Sequence, residues 1–190
     1  MKYRESGMPN EEMWNSFFNP AEVLRQMEID DQVRNLIDIG CGFGTFLLPA
    51  AGIVSSKVFG IDIEQEMINT CRQKANSANI TNIELIHDDI SSSDTIKSLE
   101  KIKAEIDYIT LFNMLHCEDP IGLLKRVYDL LDDQGKVGII HWKFEKTPRG
   151  PSMGIRPKPE MIIDWALKTG FTLQKQVELQ PYHFGLVFKK

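Results

Sequence analysis

Short apolar runs alternate along this chain with segments whose apolar residues follow a helical spacing. Runs of this length, bounded by turn residues, are typical of buried strands. They predict seven strands, at residues 36–39, 57–62, 83–87, 106–112, 136–142, 171–179 and 183–188. Helical spacing is clearest at residues 45–51, 120–131 and 159–169. Strands that alternate with helices in this way predict a doubly wound α/β fold.

Cap residues support two of the helix starts. Asp119 precedes Pro120 at the beginning of one apolar helical segment, which is the usual arrangement of an N-cap and a first-turn proline. Asn19 and Pro20 repeat it near the amino terminus, and Glu22 stands where a capping-box partner belongs. A short helix is therefore predicted before the first strand.

Three alternating glycines follow the first strand. Asp38 ends the strand, and Gly40, Gly42 and Gly44 allow the backbone to turn sharply and a ligand to lie against the main chain. The dinucleotide fingerprint is G-x-G-x-x-G, whereas here Thr45 occupies the position after the third glycine. The pattern indicates a nucleotide-type cofactor loop that differs from the usual dinucleotide loop.

A second acidic residue ends the next predicted strand. Asp62 lies about twenty residues beyond the glycine loop, where a carboxylate can accept hydrogen bonds from both hydroxyls of a ribose. NAD-dependent enzymes use an acid in the same way, so Asp62 alone does not distinguish between cofactors.

Four segments taken together resemble the class I S-adenosylmethionine-dependent methyltransferases. They occur in the family's order within residues 36–142, and Glu64 departs from the family pattern by replacing a usual Ser or Thr. The segments are the glycine loop at 36–44, the strand end and following turn at 60–68, the acidic turn at 88–90 and the post-strand segment at 113–116.

The resemblance implies a Rossmann-like seven-stranded mixed sheet. The strand order would be 3-2-1-4-5-7-6, with the last strand antiparallel and helices on both faces. The cofactor would be S-adenosyl-L-methionine, and the product S-adenosyl-L-homocysteine. The implied activity is methyl transfer to a small-molecule acceptor by in-line displacement.

The same resemblance assigns cofactor-binding residues. Asp89 matches the acid that binds the adenine amino group, with Asp88 as the alternative, and Ile90 matches the apolar residue that covers the ring. The complete set is Asp38, Gly40, Cys41, Gly42, Gly44, Asp62, Ile63, Met67, Asp89, Ile90 and Asn113.

Candidate acceptor-binding residues come from both ends of the chain. Residues 1–34 are expected to form a lid, 35–142 the cofactor-binding core and 143–190 a loop, helix and hairpin on the substrate side of a single domain. The aromatic residues could instead dock these segments onto the sheet, and the arginines could be surface residues. The candidates are Trp14, Phe18, His141, Trp142, Arg149 and Arg156.

Charge suggests the chemistry of the acceptor. Residues 1–142 hold 13 Lys and Arg against 23 Asp and Glu, whereas residues 143–190 hold 9 against 4. Arg149 and Arg156 flank a loop rich in proline and glycine, and arginine suits bidentate binding of carboxylate or phosphate. The sequence therefore predicts an anionic acceptor.

His116 is the candidate general base. It follows the fourth strand, close to the expected methyl group, although a histidine that caps the next helix is the alternative. No metal site is predicted, because Cys41, Cys71 and Cys117 lack ligand spacing.

Composition excludes several kinds of partner. An acidic body without a basic stripe argues against nucleic acid, and no apolar run suits a signal peptide or a membrane span. The chain is predicted to be cytoplasmic, and a homodimer is possible. The alternative functions are an NAD-binding oxidoreductase and a non-catalytic S-adenosylmethionine-binding module.

Overall fold

Seven strands form one mixed sheet in the computed structural model, which describes residues 9–100 and 105–190. Each predicted strand is present, and its observed first and last residues agree with the predicted ones to within one or two positions. The strands are β1 (Asn35–Ile39), β2 (Val58–Asp62), β3 (Ile83–His87), β4 (Ile106–Phe112), β5 (Lys136–Trp142), β6 (Thr172–Leu179) and β7 (His183–Lys189).

The order of the strands is β3-β2-β1-β4-β5-β7-β6, as predicted. The five strands from β3 to β5 pair in parallel, and β7 runs antiparallel between β5 and β6. The order reverses between β1 and β4, and ligands of open α/β sheets bind beyond the carboxyl ends of the strands at such a point.

Seven helices are assigned within the described residues. Asn19 caps α2 through its side chain and Asp119 caps α6, both as predicted. The helices are α1 (Glu11–Asn15), α2 (Pro20–Gln26), α3 (Leu47–Ala51), α4 (Gln65–Ser77), α5 (Ser93–Glu100), α6 (Pro120–Leu130) and α7 (Pro159–Thr169).

The sheet separates two hydrophobic cores. Alternate residues of β4 point into different cores. Ile109 and Leu111 pack in the core between the sheet and helices α6 and α7. Tyr108 and Phe112 pack in the core between the sheet and the amino-terminal helices with α3. Side chains of a strand point alternately to opposite faces, so a strand covered by helices on both sides carries apolar residues on both faces. This explains why β4 is mostly apolar, with Asp107 and Thr110 as its two polar residues.

No helix within the described ranges combines the length and hydropathy that a bilayer-spanning segment requires. The same residues contain no group of three or more His, Cys, Asp or Glu arranged to hold a metal ion.

Candidate active site

A cavity of about 330 Å³ opens at the carboxyl ends of β1 and β4. This volume is at the small end of the range typical of ligand pockets, roughly 300–1,000 Å³. Its lining combines the glycine loop, the residues after β2 and β3, the segment after β4, and aromatic side chains from both ends of the chain. The topology thus brings most of the predicted site residues to one place.

The glycine loop forms one wall of the cavity. Gly40 has φ of 75° and donates its N–H to the carbonyl of Ile61 at 2.8 Å. A Cβ at Gly40 would lie 2.4 Å from the sulfur of Met114, so the loop backbone can lie this close to Met114 only because residue 40 is glycine. Cys41 and Gly42 also line the cavity.

Gly44 has a different role from the one predicted. It is not among the lining residues, and a Cβ there would lie 3.0 Å from the sulfur of Cys71 and 3.1 Å from Leu48. Its φ is 79°, which also favours glycine. Gly44 therefore allows the loop to pack against α3 and α4.

The side chain of Asp62 is held beside the glycine loop by backbone hydrogen bonds. Its carboxylate accepts a hydrogen bond from the backbone N–H of Gly42 at 2.9 Å and another from the N–H of Glu64 at 2.9 Å. Ile63 and Met67 line the cavity beside it. The backbone thus fixes the carboxylate before any ligand binds.

Asp38 lies beneath the loop and is buried. The pKa of its carboxyl is raised to about 6, mainly by burial; the hydroxyl of Thr110, which donates to Oδ1 at 2.5 Å, opposes the rise, and the nearby Asp62 adds to it. The predicted position at the end of β1 is observed, and Asp38 contributes to the cavity wall.

The turn after β3 places Asp88 and Ile90, rather than Asp89, in the cavity lining. Asp89 turns towards its own backbone, because its Oδ1 accepts hydrogen bonds from both the N–H and the hydroxyl of Ser91, each at 2.7 Å. The Asp88 carboxylate accepts from the hydroxyl of Thr95. The geometry favours Asp88, the alternative acid, at this wall.

Asn113 combines two unusual features. Its φ of 59° places a non-glycine residue in the left-handed region, where asparagine is among the better tolerated residues. Both polar atoms of its side-chain amide are buried and have no hydrogen-bond partner among the described residues. A buried amide in this state, at the wall of a cavity, is suited to binding a polar ligand group.

His116 also lines the cavity, and His141 lies behind it. The Nδ1 atom of His116 is 3.4 Å from the Nε2 atom of His141. His141 is fully buried on β5 and is not among the lining residues, so its predicted direct contact with an acceptor is not supported. Burial holds the pKa of His141 well below its usual value, and the neighbouring His116 acts in the same direction.

Aromatic side chains form another part of the cavity wall. Trp14 of α1 and Trp142 of β5 line the cavity with ring centroids 6.3 Å apart, and Phe46 and Phe112 line it with centroids 4.9 Å apart. Phe18 packs behind them, 4.9 Å from Trp14, and is not itself among the lining residues. Sequence reasoning missed both phenylalanines, although each lies next to a motif that it had identified.

The two predicted arginines do not reach the cavity. Arg156 is buried, and its guanidinium donates hydrogen bonds to carbonyl oxygens of residues 143–151 and to the hydroxyl of Thr147, at 2.8–3.4 Å. It also lies over the ring of Trp142, with Cζ 5.6 Å from the centroid. Arg149 is exposed and outside the lining. Neither arginine is placed to bind an anionic acceptor in the cavity, because the guanidinium of Arg156 is hydrogen-bonded to carbonyl oxygens of its own loop and Arg149 is exposed to solvent.

Sequence and structure comparisons agree with this geometry. A family profile described as "Methyltransferase domain" matches residues 36–135, more than half of the chain. The aklanonic acid methyltransferase DauC of Streptomyces sp. (strain C5) is 32% identical over 126 residues, which cover 64% of this chain and 54% of that protein. The demethylmenaquinone methyltransferase of Bacillus mycoides (strain KBAB4) is 27% identical over 119 residues, 61% of this chain and 47% of that protein.

The match therefore spans about half the length of these two relatives. Among solved structures, a SAM dependent methyltransferase from Aquifex aeolicus has the same fold, with a TM-score of 0.80 and 22% identity over 95% of this chain and 93% of that one. The profile covers the glycine loop, the acid after β2 and the segment after β4, which are the parts that form the cavity. On these grounds the chain belongs to the class I S-adenosylmethionine-dependent methyltransferase family.

Proposed function

We propose that this protein transfers a methyl group from S-adenosylmethionine to a hydroxyl or enol of a small, largely apolar, planar molecule. The observation that carries the proposal is the composition of the cavity lining: residues that match the family's donor site (the donor wall), four aromatic rings (the acceptor wall) and His116 all border one cavity. Two relatives are named for the small molecules aklanonic acid and demethylmenaquinone, which supports a small acceptor.

The donor wall fits S-adenosylmethionine. Asp62 presents a carboxylate for the ribose hydroxyls, and Gly40 leaves space where any side chain would meet Met114. The buried amide of Asn113 offers a donor and an acceptor for the amino-acid end of the ligand. Asp38 favours a cationic ligand, because a nearby positive charge stabilises its ionised form.

The acceptor wall favours an apolar molecule. Trp14, Phe46, Phe112 and Trp142 supply ring faces and edges, and the lining residues within 9–100 and 105–190 include no lysine or arginine. Among these described residues, a carboxylate or phosphate on the acceptor would meet acidic side chains and no cationic one. The anionic acceptor expected from the sequence is therefore replaced by a planar, apolar one.

When bound, S-adenosylmethionine supplies a methyl group that is already activated by the positive charge of its sulfonium. The residues of the chain hold the acceptor oxygen in line with that group and exclude water, and such positioning can supply up to ~7–11 kcal/mol of the barrier. His116 accepts the hydroxyl proton as the oxygen becomes nucleophilic.

Two measurements test the proposal. Calorimetric titration should show binding of S-adenosylmethionine and S-adenosylhomocysteine, with no heat from NAD. Incubation with methyl-labelled donor and two matched acceptor panels, neutral phenols or enols and the corresponding carboxylates, should label the neutral panel. Binding of NAD alone would favour the oxidoreductase alternative.

Donor binding without methyl transfer to either panel would favour the non-catalytic alternative, because a protein that only binds S-adenosylmethionine needs the same donor-site residues. Labelling confined to the carboxylate panel would overturn the assignment of an apolar acceptor. Transfer that survives His116→Gln at the wild-type rate would remove the proposed base and leave positioning as the mechanism.

A further inference from the structure

His141 has no role in the function proposed above, yet it is a polar side chain at the centre of the fold. It is 0% exposed, and its ring packs near Phe184, with centroids 6.4 Å apart. Its Nε2 atom contacts Nδ1 of His116, and its own Nδ1 has no hydrogen-bond partner among the described residues. Burial of an unpaired polar atom costs free energy that an apolar side chain at this position would avoid.

The contact between the two rings permits two neutral arrangements. A hydrogen bond between two ring nitrogens needs one proton, carried either by Nε2 of His141 or by Nδ1 of His116. If His141 donates, the remaining proton of neutral His116 is on Nε2, and that nitrogen cannot accept another. If His116 donates, its Nε2 carries a lone pair and can act as a base.

We propose that His141 is a positioning residue that holds His116 in the base-competent tautomer, by accepting a hydrogen bond at Nε2 from the Nδ1–H of His116. This inference rests on the proposed function, in which His116 takes a proton from the acceptor. It assigns to a neutral imidazole the orienting role that a carboxylate has beside other catalytic histidines.

The proton balance of the step is simple. The O–H bond of the acceptor breaks, an N–H bond forms at Nε2 of His116, and the electron pair stays on the acceptor oxygen. His116 becomes an imidazolium that still donates its Nδ1–H to His141. The positive charge stays on His116, which borders the cavity, because His141 is fully buried and the nearby Arg156 further disfavours an ionised form there.

Two variants separate positioning from packing. His141→Gln keeps an oxygen acceptor at about the distance of Nε2, whereas His141→Leu removes it and retains an apolar volume. We expect His141→Leu to lower kcat by roughly tenfold to a hundredfold, a part of the effect typical of a general base, with donor Kd and acceptor KM nearly unchanged. His141→Gln should recover most of kcat.

A spectroscopic measurement makes the test independent of turnover and of variant folding. Nitrogen-15 spectra of histidine-labelled wild-type protein, assigned with His116→Gln, should show His116 protonated at Nδ1. The Nε2-protonated tautomer, or a kcat of His141→Leu equal to that of wild type, would overturn the inference. Should wild type transfer no methyl group to hydroxyl acceptors, the proposed function fails, while the tautomer still decides whether His141 orients His116.

Discussion

At the scale of single residues, Gly40 is the position where the backbone itself is part of the site. Alanine there would adopt a left-handed conformation at a cost of about 1–2 kcal/mol, and its Cβ would displace Met114 into the cavity. Gly40→Ala should lower the free energy of unfolding by at least that amount and weaken donor binding more than tenfold. Urea titration and calorimetry measure the two effects.

Gly154→Ala is the matched control for that substitution. No atom of the described residues lies within 4 Å of a Cβ at Gly154, so the free energy of unfolding and the donor affinity should both stay close to wild type. Equal donor affinity in the two alanine variants would show that the loop backbone does not approach the ligand.

Asp62 carries the second prediction at this scale. Asp62→Asn keeps the shape of the side chain but removes the charge that two backbone N–H groups now orient. Loss of charged hydrogen bonds to a ribose should cost roughly 1.5–3 kcal/mol, or about tenfold to a hundredfold in donor affinity. Titration of the variant beside Asp94→Asn, an exposed carboxylate of α5, is the measurement. Equal losses in both would contradict a specific role for Asp62.

Most residues that the sequence predicted to bind the donor line the cavity, because they lie at or just after the ends of strands whose order the fold fixes. The prediction and the structure differ where the direction of a side chain decides whether it reaches the cavity. Asp89 and Asp88 are adjacent, and only the hydrogen bonds of Asp89 to Ser91 show which one turns away. Likewise, a charged Arg156 in a loop gives no sign that its guanidinium points inward to backbone carbonyls.

At the scale of elements, the loop between β5 and α7 is organised around Arg156. Arg156→Lys would replace a planar group that donates to several carbonyls with a single point donor, and should lower the free energy of unfolding by about 2–4 kcal/mol. Because the guanidinium lies over Trp142, acceptor KM should rise while donor Kd stays near wild type. Steady-state kinetics and urea titration test both parts.

Arg149→Gln serves as the control on the same loop. Arg149 is exposed and contributes its backbone carbonyl, which the substitution retains. Unfolding and kinetics should not change. A raised acceptor KM in Arg149→Gln alone would restore the hypothesis of an anionic acceptor.

Elements with strong patterns were predicted well, and weak ones were not. All seven strands were found, because the central strands are mostly apolar and the edge strand β6 alternates between exposed and partly buried positions. Helices α1, α4 and α5 were missed, because α1 has only five residues and α4 and α5 are largely polar. Helix α3 begins at Leu47 rather than at Thr45, whose hydroxyl instead donates to Asn15 of α1 at 2.7 Å, a contact that no local pattern contains.

At the scale of the whole molecule, a buried carboxyl and buried imidazoles set opposite pH dependences of stability. Asp38 has a folded pKa of about 6, above its unfolded value, so its burial destabilises the protein as pH rises from about 4 to 6 and remains unfavourable above that. His183 has a pKa lowered to about 3, mainly by burial, and His141 is also lowered, so both destabilise the protein as pH falls below about 6.5. With two histidines against one aspartate, stability should decrease from pH 6.5 towards pH 4.

His183 offers the clearest test of this balance, because both of its ring nitrogens lack hydrogen-bond partners among the described residues. Its neighbours are aromatic, with ring centroids 4.2 Å away at Trp142 and 4.6 Å away at Phe18, so His183→Phe keeps the contacts and removes the titration. Relative to wild type, the variant should gain about 2 kcal/mol more at pH 5 than at pH 7.5, the cost of keeping His183 neutral at pH 5. Asp38→Asn should show the opposite dependence, gaining roughly 2 kcal/mol more at pH 7.5 than at pH 4. Urea midpoints of wild type and both variants at pH 4, 5 and 7.5 measure these differences. If His183→Phe changes the free energy of unfolding equally at pH 5 and pH 7.5, this histidine does not stay neutral in the folded protein at pH 5.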